Sequence, residues 1–369
     1  MRSLFEPVTL NGMALANRFI RSATWEGLAD EEGFATDNLK SMLVDLALGE
    51  VGLIMSSFTF ISREGQSNAG QLAIYDDRFI PALQNITEAI HGVGGKVALQ
   101  LVHGGCLANS EFTGVQPMGP NDCAENGVQT ARAMTKTDIE HIILSYIDAS
   151  VRARKAGFDA VQIHSAHGYL LSQFLSPALN ERKDEYGGGL INRASLLLQV
   201  VEGVRTAVGS DYPLFVKLNS EDFMEGGLTK EDAIGVALLL QESSVDAIEL
   251  SGGSRSARAT YMAARKGTPK TVKEEVYYQE AAKLYKQKIS IPLMLVGGIR
   301  SYKIAEELIQ NNRADFISFC RPLIREPHLI KRWREGDRRK AECISCNGCY
   351  GPAREGKGVA CVINKRSPR

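Results

Sequence analysis

Short apolar runs alternate along this chain with longer stretches whose apolar positions recur at helical spacing. The runs predict strands at Arg18 to Ser22, Val51 to Ser57, Lys96 to Val102, Asp159 to His164, Pro213 to Leu218, Asp246 to Leu250, Pro292 to Val296 and Asp315 to Phe319. The longer stretches predict helices at Thr36 to Leu48, Pro81 to Val93, Lys136 to Lys155, Ile191 to Val208, Thr229 to Glu242, Val272 to Gln287 and Tyr302 to Asn311. Thr229 followed by Asp232 resembles a capping box with Asp in place of Glu, and Pro81 suits a first helical turn.

Eight strands separated by helices admit a closed barrel or an open, doubly wound sheet. An open sheet gathers its ligand at one switch point, whereas a barrel places its site at the C-terminal ends of many strands. Here polar residues or glycines fall at most strand ends: Gln100 and His103, His164, Lys217, Ser251, Gly297 with Gly298, and Arg321. The pattern therefore predicts an α/β fold, a (β/α)8 TIM barrel over residues 1–333. Gly104 to Thr135 shows no sustained period and reads as an excursion between the third strand and its helix. Residues 334–369 turn charged and then rich in Cys and Gly. They predict a tail packed on the barrel, too short for a core of its own.

Composition adds mainly exclusions. Forty-three basic and 43 acidic residues leave a net charge of +0, so no global field recruits nucleic acid or an anionic membrane. The opening MRSLFEPVTLNG meets Glu6 and Pro7 before any long apolar run, so neither a signal peptide nor a membrane anchor is expected. A cytoplasmic homo-oligomer is the expectation. Of seven cysteines, Cys343, Cys346, Cys349 and Cys361 crowd the tail at C-x2-C-x2-C-x11-C spacing. Such clustering in a large chain favours metal over disulfide, either an iron–sulfur cluster or zinc, with plain thiols as the alternative.

Three constellations carry candidate chemistry. The double glycine of LMLVGGIRS and the Arg321 of FISFCRPLI follow the seventh and eighth strands, where this fold commonly binds phosphate. Taken singly, each is explained as well by a tight turn or a surface charge. Gln100 and Lys217 are polar groups in apolar strands, and a planar heterocycle with carbonyl and imide groups would partner them. The plainer reading has Gln100 bonded to backbone and Lys217 paired with Glu221 or Asp222. His164, His167 and Tyr169 follow the fourth strand: two imidazoles suited to polarising a carbonyl oxygen, and a hydroxyl suited to moving a proton. They are read against a structural histidine and a packing tyrosine. His91, His103, His141 and His328 are taken as structural or surface groups, with His103 a weak candidate for the pocket.

NRFIRSA at Asn17 to Ala23, LQLVHGG at Leu99 to Gly105, and HSAHGYLLSQFLSP with DEYGG between His164 and Gly188 resemble old yellow enzyme, the FMN-dependent ene-reductase barrel. The resemblance implies FMN held by Ala23, Thr24, Gln100, Lys217 and Ser251, with its phosphate at Gly297, Gly298 and Arg321. It implies Trp25, His164 and His167 around the substrate, Tyr169 as proton donor, and NADH or NADPH as reductant. The reaction it implies is reduction of the activated C=C bond of α,β-unsaturated carbonyl or enoyl-type substrates. Trp25 stands where relatives often carry Cys or Thr, and Cys106 ends a segment that relatives read as His-Ala-Gly-Arg. CISCNGC resembles the [4Fe-4S] segment of trimethylamine dehydrogenase and 2,4-dienoyl-CoA reductase. A cluster here would need an external electron carrier, which keeps open an alternative, an amine dehydrogenase that passes electrons to a carrier protein.

Overall fold

A computed structural model describes residues 2–125, 128–254 and 261–363. Eight parallel strands close into a barrel: β1 (Phe19–Arg21), β2 (Leu53–Phe60), β3 (Val97–Val102), β4 (Ala160–Ser165), β5 (Leu214–Asn219), β6 (Ala247–Ser251), β7 (Leu293–Val296) and β8 (Phe316–Phe319). Each pairs with its neighbours in sequence, and β8 returns to β1 through Ile317 against Phe19. The fold is the expected (β/α)8 barrel, and all eight predicted strands lie on its staves.

Strand periodicity explains where the core sits. Successive side chains alternate between faces, so Ala98 and Gln100, Ala160 and Gln162, Phe215 and Lys217, Ala247 and Glu249, and Phe316 and Ser318 pair off along the inner wall. The first member of each pair belongs to an apolar layer that also contains Ile20, Met55 and Met294. Leu10, Met13 and Leu15 from a hairpin of Val8–Leu10 with Met13–Leu15 close that layer at the N-terminal end. The second members are polar and form the next layer up. Outward-facing residues such as Leu99, Val161 and Val216 pack instead beneath the helices.

The surrounding helices include Asp37–Leu48, Ile80–Gly92, Lys136–Lys155, Leu190–Val208, Lys230–Glu242 and Tyr302–Gln310. Thr229 caps the fifth of these by accepting the Asp232 N–H at 3.1 Å. The stretch predicted as one helix from Val272 to Gln287 is two, Val272–Glu275 and Gln279–Lys288. Tyr277 separates them because its N–H donates to the Gly297 carbonyl at 3.1 Å, drawing the chain onto the turn after β7.

The excursion after β3 holds a small sheet in which Val128–Ala133 lies between Met118–Gly119 and Cys123–Glu125. After Trp333, which is fully buried against Phe19, Phe319 and Tyr302, the chain turns back over the C-terminal ends of the strands. Val359 N–H donates to Glu26 O at 2.6 Å, and Ala341 N–H to Arg300 O at 2.9 Å.

Candidate active site

The strands end on a cavity of about 630 Å³. Ala23, Thr24, Trp25, Gln100, His164, His167, Tyr169, Lys217, Ser251, Gly297, Gly298 and Arg321 all line it, so the three constellations read from sequence converge on one place. His103 does not. It is fully buried behind the wall, where its Nδ1 accepts the Gly105 N–H at 3.0 Å.

The floor is the polar layer of the barrel. Gln100 Nε2 donates to Gln162 Oε1 at 2.7 Å, and Gln162 Nε2 to Glu249 Oε2 at 3.2 Å. Lys217 Nζ donates to that same carboxylate oxygen at 2.9 Å and to Ser22 Oγ at 2.7 Å. Lys217 therefore pairs across to β6 rather than with Glu221 or Asp222, because its inward direction points away from the loop after β5. Asp222 is held instead by Asn219 Nδ2 at 2.9 Å. Gln162 and Glu249 were overlooked in the sequence, although an acid inside AIELS is the same signal as Lys217 inside LFVKL. Both are fully buried.

The segment from Ser22 to Glu26 is pinned from beneath. Buried Arg21 donates to Glu26 Oε1 and to the Met55 carbonyl, both at 2.6 Å. Thr24 Oγ1 lies 3.3 Å from the Tyr350 hydroxyl, which the tail brings to the cavity wall. Arg354 from the tail lines the mouth as well.

Over β4 the three candidate side chains face one another. The His164 and His167 rings are 5.2 Å apart and perpendicular, and Tyr169 is 5.2 Å from His164 and 4.6 Å from Phe58, centroid to centroid. Ala166 N–H donates to His164 Nδ1 at 3.2 Å, which leaves the ring proton on Nε2. His167 adopts φ 63°, a left-handed conformation held by its own N–H on Asn219 Oδ1 at 3.1 Å. Its Nε2 lies 2.8 Å from Ser251 Oγ, so the hydroxyl of Ser251 is turned to the histidine. Burial lowers both imidazoles, with His167 and Lys217 adding to the effect on His164, and Lys217 adding to that on His167, which falls to about 3. Both rings are therefore neutral donors at physiological pH.

At the opposite wall, Gly297 (φ 121°) and Gly298 (φ 83°) take conformations that side chains rarely adopt. A Cβ at Gly298 would stand 2.5 Å from the Tyr277 ring and 2.8 Å from the Glu275 carbonyl. Fully buried Arg300 braces this turn, donating to Gly298 O at 2.6 Å, to Cys343 O at 2.8 Å and to the Ser345 hydroxyl. Arg321 donates to Arg265 O at 2.7 Å and Asn347 Oδ1 at 2.5 Å. The phosphate-type wall and the cysteine-rich tail are thus one bonded unit.

Cys343, Cys346, Cys349 and Cys361 line a single small pocket walled by Ile324, Ile344, Val362 and Ile363. Among the described residues no three ligand-type side chains converge as they do on a single ion. Gly348 N–H reaches Cys346 Sγ at 3.4 Å and Arg325 reaches Cys361 Sγ at 3.7 Å.

The cavity suits a flavin. Ser318 Oγ, on the cavity lining, is buried without a partner, and Gln100 gives one amide N–H to Gln162 and keeps its oxygen and second N–H for the cavity. A uracil-like ring edge offers the complementary donor and acceptors, and the glycine turn leaves room for a phosphate. A closed barrel with this polar floor is that of a flavin-dependent oxidoreductase. The model of the NADH:flavin oxidoreductase / NADH oxidase family matches residues 3–340, and the chain belongs to that family, whose cofactors are FMN and NAD(P)H.

The chain is 34% identical over 360 residues to the NADH oxidase of Thermoanaerobacter brockii, covering 95% of this chain and 54% of that protein. It is 35% identical over 334 residues to the NADPH dehydrogenase of Bacillus licheniformis, covering 89% and 93%. The old yellow enzyme homologue from Zymomonas mobilis superimposes with a TM-score of 0.80 at 26% identity, covering all of both chains. The chain spans about half the length of the first curated relatives it matches. No helix among the described residues is long and apolar enough to cross a membrane.

Proposed function

We propose that this protein uses NAD(P)H to reduce the activated C=C bond of α,β-unsaturated carbonyl or enoyl-type substrates. The observation that carries the reading is the convergence of two neutral imidazoles and a tyrosine ring on the wall facing the polar floor. FMN, when bound, would supply the hydride chemistry between NAD(P)H and the alkene. Gln100 and Lys217 would hold its ring, and Gly297, Gly298 and Arg321 would receive its phosphate. His164 through Nε2–H and His167 through its other ring nitrogen donate to the substrate carbonyl oxygen, stabilising the charge that develops there. Tyr169 then gives a proton to the α-carbon. Phe58 and Trp25 line the substrate side and exclude water.

General acid catalysis contributes about 10²–10⁴-fold. Tyr169→Phe is therefore expected to lower alkene reduction by about that factor while NAD(P)H still bleaches the flavin at the normal rate. Unchanged alkene reduction in that variant overturns the role of Tyr169.

We also propose that the four tail cysteines hold a [4Fe-4S] cluster. The reading rests on their C-x2-C-x2-C-x11-C spacing and on the one pocket that all four line. The cluster would make the protein a partner for an external one-electron carrier, and the N–H groups on two of the sulfurs are of the kind that tune such clusters.

A further inference from the structure

Cys106 and Cys123 lie outside both the cavity and the tail pocket. Cys106 follows β3 in the turn Gly105–Leu107, while Cys123 begins a strand of the excursion sheet. Their sulfur atoms stand 3.4 Å apart as free thiols, both half-buried. An open groove of about 910 Å³ beside the cavity reaches Cys106 and shares Trp25 and Arg354 with the cavity mouth, while Cys123 is itself part-exposed, so a small solute can approach either sulfur.

The position of Cys106 is coupled to the catalytic wall. Its N–H donates to Gln173 Oε1 at 3.1 Å, and its Sγ fills the space over Gly119, where a Cβ would stand 2.2 Å away. Gln173 Nε2 donates in turn to Gly168 O at 2.7 Å and Gly104 O at 3.4 Å. Gly168 immediately precedes Tyr169. One buried amide side chain therefore ties the cysteine turn to the tyrosine turn.

We propose that Cys106 and Cys123 form a reversible disulfide that couples exposure to hydroperoxide to proton delivery by Tyr169. The Cys123 thiolate attacks the peroxide oxygen, forming an S–O bond and breaking the O–O bond, and the leaving oxygen departs with a proton as water or an alcohol. The Cys106 sulfur then displaces hydroxide from the sulfenic acid, forming the S–S bond, and its proton leaves with that hydroxide as water. Two thiols lose two electrons and the hydroperoxide gains them; exchange with a small dithiol reverses the change. Burial, with Cys123 alongside, pushes the Cys106 thiol up to about 12, which disfavours the Cys106 thiolate as the attacking group. Bond formation shortens the sulfur separation from 3.4 Å to about 2.05 Å and pulls the Cys106 amide against its bond to Gln173. The catalytic consequence rests on the role proposed above for Tyr169; the cross-link itself does not.

The test treats the FMN-loaded full chain with stoichiometric hydrogen peroxide, blocks free thiols with N-ethylmaleimide and maps peptides without reductant. The expected result is a Cys106–Cys123 linked peptide that dithiothreitol removes and that Cys106→Ser and Cys123→Ala each abolish. Oxidation should slow alkene reduction at least fivefold, reversibly, with reduction of the bound flavin unchanged, and should leave the rate of Cys123→Ala unaltered. Both thiols remaining alkylatable while tail cysteines oxidise overturns the site. A linked peptide with an unchanged rate overturns the coupling. Normal alkene reduction in Tyr169→Phe would instead count against the reading of the active site, and the peptide map would still report whether the pair closes.

Discussion

Glu249 shows how a residue with no contact to substrate can govern the site. It is fully buried and holds both the Lys217 ammonium and the Gln162 amide, so its loss would leave a cation in the barrel without a counter-charge. Breaking a buried pair by removing one partner costs about 3–5 kcal/mol. Glu249→Gln should lower unfolding free energy by about that amount in urea titrations, and Glu249→Gln combined with Lys217→Met should recover a substantial part. Equal losses in the single and double variants would show that the pair is not the source. Gln100 and Lys217 were legible in the sequence because each interrupts an apolar run. Their partners were not identified, because which residue faces which across a barrel depends on strand register rather than on spacing along the chain.

At the scale of elements, the eight strands were readable because each is a short, nearly continuous apolar run, as a strand buried on both faces must be. The N-terminal hairpin and most of the excursion sheet escaped because strands of two or three residues, Met13–Leu15 or Met118–Gly119, carry no measurable period, and the six-residue strand Val128–Ala133 is largely exposed and polar rather than an apolar run. The ends of β3 and β4 carry a consequence for pH. Burial, the largest cause in each case, lowers His103 to about 4 and His167 to about 3, and takes His164 well below its usual value. An unfolded imidazole titrates near about 6.5, so below that pH the unfolded chain binds more protons than the native one. Stability is complete above about 6.5 and is lost progressively as pH falls toward the folded values. The thermal midpoint is expected to drop between pH 6.5 and 5, with a shallower slope in His167→Asn; an identical slope would remove His167 from this account.

Across the whole molecule, the tail is joined to the barrel at the phosphate-type wall, through Arg300 to Cys343 and Ser345 and through Arg321 to Asn347. A cluster in the tail pocket would therefore sit against the cofactor wall, as electron exchange between them requires. Anaerobically purified protein should show flavin absorption with about four irons per chain, and Cys346→Ser should lose the iron while keeping the flavin; zinc at one per chain, or no metal, would overturn the cluster. The alternation of apolar runs and helical segments determined a parallel α/β fold, and the spread of polar residues over most strand ends chose a closed barrel over an open sheet, which gathers its site at one switch point. The polar residues at strand ends likewise determined that chemistry gathers at the C-terminal mouth. Only the tertiary structure decided that Lys217 answers Glu249, that Ser251 turns to His167, that Tyr350 and Arg354 come from the tail to the cavity, and that Cys106 meets Cys123. These are contacts between elements, set by barrel closure and by the path of the returning chain, and no local pattern of residues encodes them.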